Sequence, residues 1–258
     1  MAVGGCSEGW CMTDYMDSPQ GRRLAFRFHA GTSGKTFVWL CGFKSDMSGT
    51  KVTVLEAWAR RAGHGFLAFD YSGHGLSDGA FEDGTVTAWR EDALAVIEAQ
   101  TQGELILVGS SMGGWMALLA AQALSARVTA MVLIAPAPDF TDKLIWPEFD
   151  AAAQAQIMAE GMTLRPSDYG APYPITRALI EDGRRWNLLD APIVFSGAVR
   201  ILQGMQDGDV PWQHALRLVE ALDGGDVALT LIKDGDHRLS RDQDIARLLR
   251  VCAEVAAV

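Results

Sequence analysis

Glu104-Leu105-Ile106-Leu107-Val108-Gly109-Ser110-Ser111-Met112-Gly113-Gly114-Trp115 decides the reading of this chain. Glu104–Val108 is a strand-length apolar run, and the residues from Met112 to Leu124 are rich in Ala and Leu, as a buried helix would be. A serine between them, Ser111, falls on a sharp strand-to-helix turn that exposes its Oγ at the edge of a sheet. Gly109 and Gly113 stand two positions to either side, where a Cβ would crowd such a turn. The helix that follows aims its first N–H groups at whatever meets the hydroxyl. Ser110 is adjacent, but the Gly-x-Ser-x-Gly spacing selects Ser111.

The same alternation extends outward in both directions. Ala25–Phe28, Thr36–Leu40, Phe66–Phe69, Val128–Ile134, Val199–Leu202 and Val227–Ile232 read as strands. Val52–Ala62, Val86–Ala99, Trp212–Leu222 and Asp242–Val255 read as helices. Continuous apolar strands joined by amphipathic helices predict an α/β fold with a mainly parallel, doubly wound sheet covered on both faces. Ligands of such sheets lie at the carboxyl ends of the strands.

Segment 137–198 interrupts this rhythm. It is proline-rich, has helical character over Phe149–Gly161, and holds Trp146, Met158, Met162, Tyr169, Tyr173 and Trp186. We expect a helical cap over 137–198, inserted between core segments 1–136 and 199–258. Trp115, Trp146 and Trp186 are candidates to line a substrate pocket, although a packed helical excursion would hold the same aromatics.

A serine hydroxyl needs a base to take its proton and an acid to orient that base. On a sheet of this kind the expected order is serine, acid, histidine. His237 lies in a loop after the final predicted strand, in Lys233-Asp234-Gly235-Asp236-His237-Arg238, where a base is needed. His214 falls inside a predicted helix, and a helix-surface role is expected for it. Asp207 opens the loop after the preceding strand and is the expected acid. Asp209 is the alternative, or else an N-terminal cap for the helix near Pro211. Asp234 and Asp236 read as loop acids.

A tetrahedral intermediate also needs two N–H donors. The Met112 N–H, just after the serine, is one. The Phe43 N–H, in the loop after Thr36–Leu40, is the expected second. Cys41 reads as a small buried residue, and His74, which precedes the serine, as a structural hydrogen-bonding group.

Composition removes other classes. Of 258 residues, 22 are Lys or Arg and 32 are Asp or Glu, for a net charge of −10. That argues against nucleic acid as a partner, which demands clustered cations. Cys6, Cys11, Cys41 and Cys252 share no metal-ligand spacing, so reduced thiols are expected, with no metal and no cofactor. A Cys6–Cys11 disulfide has no support in the sequence. No apolar run reaches the roughly 20 residues of a membrane span, and the N-terminus lacks signal-peptide or transit-peptide character. A cytoplasmic protein is expected, or a mitochondrial matrix one already processed. Oligomeric state is not legible.

Ser45-Asp46-Met47-Ser48-Gly49-Thr50-Lys51, the segment Phe69–Gly79, Gly109–Trp115, Leu202–Trp212 and Gly235–Arg238 together resemble the α/β-hydrolases. More narrowly they resemble the family of the mitochondrial palmitoyl-protein thioesterase, also called mycophenolic acid acyl-glucuronide esterase. The resemblance spans about Ala25 to Leu249. It implies a triad at Ser111, Asp207 and His237. It also implies deacylation of S-palmitoylated proteins or hydrolysis of acyl glucuronides, with small acyl esters, thioesters or acylated proteins as substrates. The N-terminus, without a transit peptide, suggests a bacterial relative. A short-chain carboxylesterase and a non-catalytic binding module on the same fold are the competing readings.

Overall fold

The computed structural model describes residues 12–166 and 172–257; Cys6, Cys11 and Tyr169 lie outside the described residues. In chain order the elements begin β1 (Asp14–Asp17), β2 (Arg23–His29), β3 (Lys35–Leu40), α1 (Thr50–Arg61), β4 (Gly65–Phe69), α2 (Val86–Gln100), β5 (Glu104–Ser110), α3 (Met112–Ala123) and β6 (Val128–Ile134). An insertion follows with α4 (Ala151–Glu160), β7 (Met162–Arg165), β8 (Tyr173–Thr176), α5 (Arg177–Arg184) and β9 (Ile193–Val194). The chain then returns to the sheet through β10 (Ala198–Gly204), α6 (Trp212–Ala221), β11 (Leu222–Asp223), β12 (Val227–Ile232) and α7 (Asp242–Ala256).

Among the described residues, eight strands form one sheet in the order β1-β2-β4-β3-β5-β6-β10-β12. The six from β4 to β12 pair in parallel, and β1 and β2 add antiparallel edge strands. The apolar runs explain this layout. Leu105, Ile106, Leu107 and Val108 are all fully buried, so β5 has helices over both faces and no polar alternation. Burying one such side chain contributes about 1.5–3 kcal/mol, which makes exposure of the central strands prohibitive. α1 packs against α7, and α2 against α3.

Strand order places the site. From β3 the chain moves through α1 to β4 on one side, then through α2 to β5 on the other. The carboxyl ends of β3 and β5 therefore flank the point where the winding reverses, which leaves a crevice there. The loop after β3 and the turn after β5 open onto this crevice.

The insertion is mixed rather than wholly helical. Asp150 caps α4 by accepting the Ala153 N–H at 2.8 Å, and Gly161, at φ 92°, closes it in the left-handed region. An antiparallel β7–β8 hairpin follows, where the sequence pattern predicts none. Its strands have four residues each, and β8 contains Pro174. α5 packs on α2, and the buried Asp139 accepts the N–H groups of Leu188 and Leu189 at 2.8 and 2.9 Å. The first contact ties the insertion to the core, and the second ties its two ends to each other.

Two expectations change. His214 does not face solvent: it is buried, with Nε2 2.7 Å from the Pro138 carbonyl, because α6 lies beneath the start of the insertion. Asp209 does not cap α6: the residue before that helix is Pro211 and no side chain caps it.

Candidate active site

Ser111 is the hinge between β5 and α3. Its φ of 55° and ψ of −121° put a non-glycine residue in a strained conformation. The strain is held by its neighbours. Ser111 N–H donates to the Ile134 carbonyl at 2.9 Å, and the Ser111 carbonyl accepts from Gly114 and Ala137 N–H groups at 2.8 and 3.1 Å. The flanking glycines are needed on steric grounds. A Cβ on Gly109 would lie 2.2 Å from the Gly113 carbonyl oxygen, and one on Gly113 would lie 2.0 Å from that of Leu40.

Asp207 comes from the loop after β10 and His237 from the loop after β12. These strands are adjacent and parallel, so both loops leave the same sheet edge. The backbones approach so closely at Gly204 that a Cβ there would meet the Gly235 carbonyl oxygen at 2.4 Å. His237 Nδ1 lies 2.8 Å from Asp207 Oδ2, and His237 Nε2 lies 3.1 Å from Ser111 Oγ. The three side chains thus form one hydrogen-bonded relay.

The Asp207 carboxylate is saturated with donors. Oδ1 accepts from the Asp209 and Val210 N–H groups at 2.9 and 2.8 Å, and Oδ2 accepts from Gln203 Nε2 at 3.0 Å besides facing His237. The Asp207 side chain is fully buried. Asp207, Asp209 and His237 offer one ligand atom each within 4.8 Å of one another.

Phe43 and Ser111 line a common cleft of about 330 Å³ together with Lys44, Lys51, His237 and Arg238. Met112 is the first residue of α3, so its N–H has no partner within the helix. The Phe43 ring points to an aromatic cluster, 4.9 Å from Phe81, 5.4 Å from Phe140 and 5.5 Å from Tyr173. The last two belong to the insertion, so an apolar wall stands beside the loop.

The segment after β4 scaffolds this loop. His74 is buried and accepts the Lys44 N–H on Nε2 at 3.1 Å, while its Nδ1 faces the Ser72 carbonyl at 3.2 Å. Burial lowers its pKa, which keeps the ring neutral and the acceptor in place. Asp70 accepts the Met47 and Leu76 N–H groups at 2.7 and 2.9 Å. Cys41 is buried, and burial pushes its thiol well up from the usual range, so it is no nucleophile.

The three tryptophans sit elsewhere. None of Trp115, Trp146 and Trp186 lines this cleft. Trp115 is fully buried with its Nε1 donating to the Trp186 carbonyl at 3.2 Å; Trp186 Nε1 donates to Thr87 Oγ1 at 2.7 Å. Trp146 lies under the Arg184 guanidinium at 5.0 Å. The two Trp186 bonds fasten the insertion to α3 and α2, while the Trp146 contact lies within the insertion. Gln203 and Lys51, both close to the relay, fall within Leu202–Trp212 and Ser45–Lys51, but nothing in those stretches singles them out. Lys51 reaches a loop far along the chain, whereas Gln203 bonds Asp207 and Val210 in the loop that it leads into.

A strand-turn-helix serine, a mainly parallel eight-stranded sheet and an imidazole on the sheet edge together define a class. The profile of the alpha/beta hydrolase family matches residues 30–256, and the chain belongs to that family. Among its relatives is the mouse mitochondrial palmitoyl-protein thioesterase ABHD10, 37% identical over 222 residues that cover 84% of this chain and 74% of the mouse protein. The solved structure of mouse alpha/beta hydrolase domain-containing protein 10 superposes with a TM-score of 0.87 at 33% identity, covering 95% of this chain and 98% of that one. A crystal structure from Agrobacterium vitis S4 matches at a TM-score of 0.92 and 46% identity, covering 96% of this chain and all of the other. No helix among the described residues is long and apolar enough to cross a membrane.

Proposed function

We propose that the chain is a serine hydrolase of carboxylic esters or thioesters, with Ser111 as nucleophile, His237 as base and acid, and Asp207 as the orienting carboxylate. The observation behind this reading is the unbroken relay of 3.1 and 2.8 Å from Ser111 Oγ through the imidazole to Asp207. Ser111 Oγ attacks the acyl carbon as its proton passes to His237 Nε2. The N–H groups of Phe43 and Met112 receive the oxyanion. As the intermediate collapses, the bond to the leaving oxygen or sulfur breaks and that atom takes the proton from His237. Water then attacks the acyl-serine by the same route, releasing the carboxylic acid and restoring Ser111.

In this reading the acyl group packs along the Phe43 ring, which Phe81, Phe140 and Tyr173 back, with segment 137–198 as the cap. The naming of the mammalian relatives as palmitoyl-protein thioesterases supports a long acyl chain and an acylated protein as substrate. Buried free thiols at Cys41 and Cys252 suit a reducing location, cytoplasmic or mitochondrial.

Two measurements test the reading. A fluorophosphonate probe should label the wild type at Ser111, located by peptide mass, and leave Ser111→Ala unlabelled. A series of 4-nitrophenyl esters from two to sixteen carbons should be hydrolysed by the wild type with kcat/KM rising beyond eight. No label and no turnover would end the hydrolase reading; a maximum at two to four carbons would replace the long-chain substrate with a short one.

A further inference from the structure

Lys51 belongs to the first turn of α1, yet its ammonium does not point to solvent. Lys51 Nζ donates to the Arg238 carbonyl, and Ser240 Oγ lies 3.4 Å away. Both acceptors are in the loop that presents His237, far along the chain from Lys51. Ser240 Oγ itself donates to the Arg238 carbonyl at 3.0 Å, so hydroxyl and ammonium converge on one oxygen.

That loop needs holding. Leu239 has φ 42°, a left-handed conformation costly for a γ-branched side chain. Asp236 Oδ1 accepts the Leu239 N–H at 2.9 Å and fixes one side of the turn. On the other side the Gln206 N–H donates to the Gly235 carbonyl at 2.8 Å. Lys51 ties the residues just after His237 to the start of α1 across the cleft that Lys51, His237 and Arg238 line.

We propose that Lys51 is a positioning residue for the hydrolytic reaction: its charged Nζ, bonded to the Arg238 carbonyl, keeps the His237 imidazole in register with Ser111. The inference rests on the hydrolase reading above. The imidazole must reach Ser111 Oγ in one step and the leaving atom in the next, and slack of about 1 Å in such a group costs on the order of a hundredfold in rate. A charge-assisted bond to the carbonyl is about twice as strong as one from a neutral amine. The clamp therefore loosens when Lys51 loses its proton.

Several charges bear on that proton. Burial is the main influence and Arg238 adds to it, while Asp236 and Asp244 oppose; the net result is a pKa pushed down to about 8. Lys44 and Asp46 face the same cleft. The clamp thus weakens within the range where a serine hydrolase is ordinarily assayed.

The test is the pH profile of kcat on a 4-nitrophenyl ester, each rate corrected for spontaneous hydrolysis, for wild type, Lys51→Met and Lys51→Arg. The wild type should lose rate as pH rises through about 8. Lys51→Met should be roughly tenfold or more slower at neutral pH, with KM little changed and that alkaline fall gone. Lys51→Arg should recover most of the neutral rate and hold it at least to pH 10, because a guanidinium stays charged. Thermal unfolding of each variant reports folding separately, and the wild-type and Arg profiles decide the matter if the Met protein is unstable. A wild-type kcat that stays flat or rises from pH 7 to 10, or an Arg variant with the wild-type alkaline fall, overturns the proposal. Turnover in either case leaves the hydrolase reading standing, whereas no turnover and no fluorophosphonate label would remove both.

Discussion

Gln203 Nε2 donates to Asp207 Oδ2 at 3.0 Å, the oxygen that also faces His237 Nδ1 at 2.8 Å. Gln203 is the penultimate residue of β10 and is fully buried, and the same Nε2 lies 3.0 Å from the Val210 carbonyl. One amide therefore holds both the carboxylate and the far side of its loop. Gln203→Leu removes a donor to a buried charge, a loss of about 1.5–3 kcal/mol. We expect kcat to fall about tenfold to a hundredfold with KM nearly constant, measured on a 4-nitrophenyl ester. An unchanged kcat in a protein that unfolds at a lower temperature would show that Gln203 supports the fold alone.

Ser111 concerns stability as well as chemistry. Its backbone, at φ 55° and ψ −121°, is a conformation that glycine adopts and a residue with a Cβ resists. Ser111→Ala keeps the strain, whereas Ser111→Gly releases it. Both should be inactive, and the glycine protein should be the more stable of the two by about 1 kcal/mol, read from urea unfolding. Equal stabilities, or a more stable alanine protein, would mean that the elbow is not strained.

The parts of the molecule that the sequence makes legible share a physical cause. Stretches such as Leu105–Val108 and Ala130–Ile134 are buried on both faces, so their composition alone marks them. Ser111, Asp207 and His237 stand out because each follows a strand, and strand ends are where a parallel sheet gathers its loops. The hairpin of Met162–Arg165 and Tyr173–Thr176 is obscure because four-residue, half-exposed strands leave no periodic signal. Trp115 and Trp186 carry the same chemistry whether they line a pocket or fasten an insertion, and only their partners tell which. Lys51 meets Arg238 through the fold alone, and Gln203, though it bonds Asp207 and Val210 close by in the chain, reads as one polar residue in a strand, so no local pattern announces either.

His74 offers a way to loosen the Phe43 loop without touching the serine. Its ring packs 5.2 Å from Phe81 and 5.3 Å from Trp89, and its Nε2 accepts the N–H of Lys44, which has φ 54°. His74→Phe keeps the ring and removes the acceptor. With Lys44 unfastened, the neighbouring Phe43 N–H is less well aimed. We expect kcat to drop about tenfold, less than the roughly 2.7–4 kcal/mol of an oxyanion donor lost outright, with KM changed less than threefold. Full kcat in this variant would sever His74 from the donor loop.

His214 sets part of the response to acid. It is buried under the start of the insertion, with Nε2 2.7 Å from the Pro138 carbonyl. Burial lowers its pKa below the ordinary 6.5, Arg217 lowers it further, and the Pro138 bond opposes both. As pH falls through 6.5 the unfolded chain takes up a proton that the folded one still refuses. The unfolded state then binds more protons, and stability falls with pH until the folded-state value is passed. His214→Gln keeps an N–H for the Pro138 carbonyl but does not titrate. The unfolding free energy of the wild type should therefore drop more between pH 7 and pH 5 than that of His214→Gln, both measured in urea. Parallel declines would assign the acid sensitivity to other groups, with His74, whose burial shifts it in the same direction, as the next to replace.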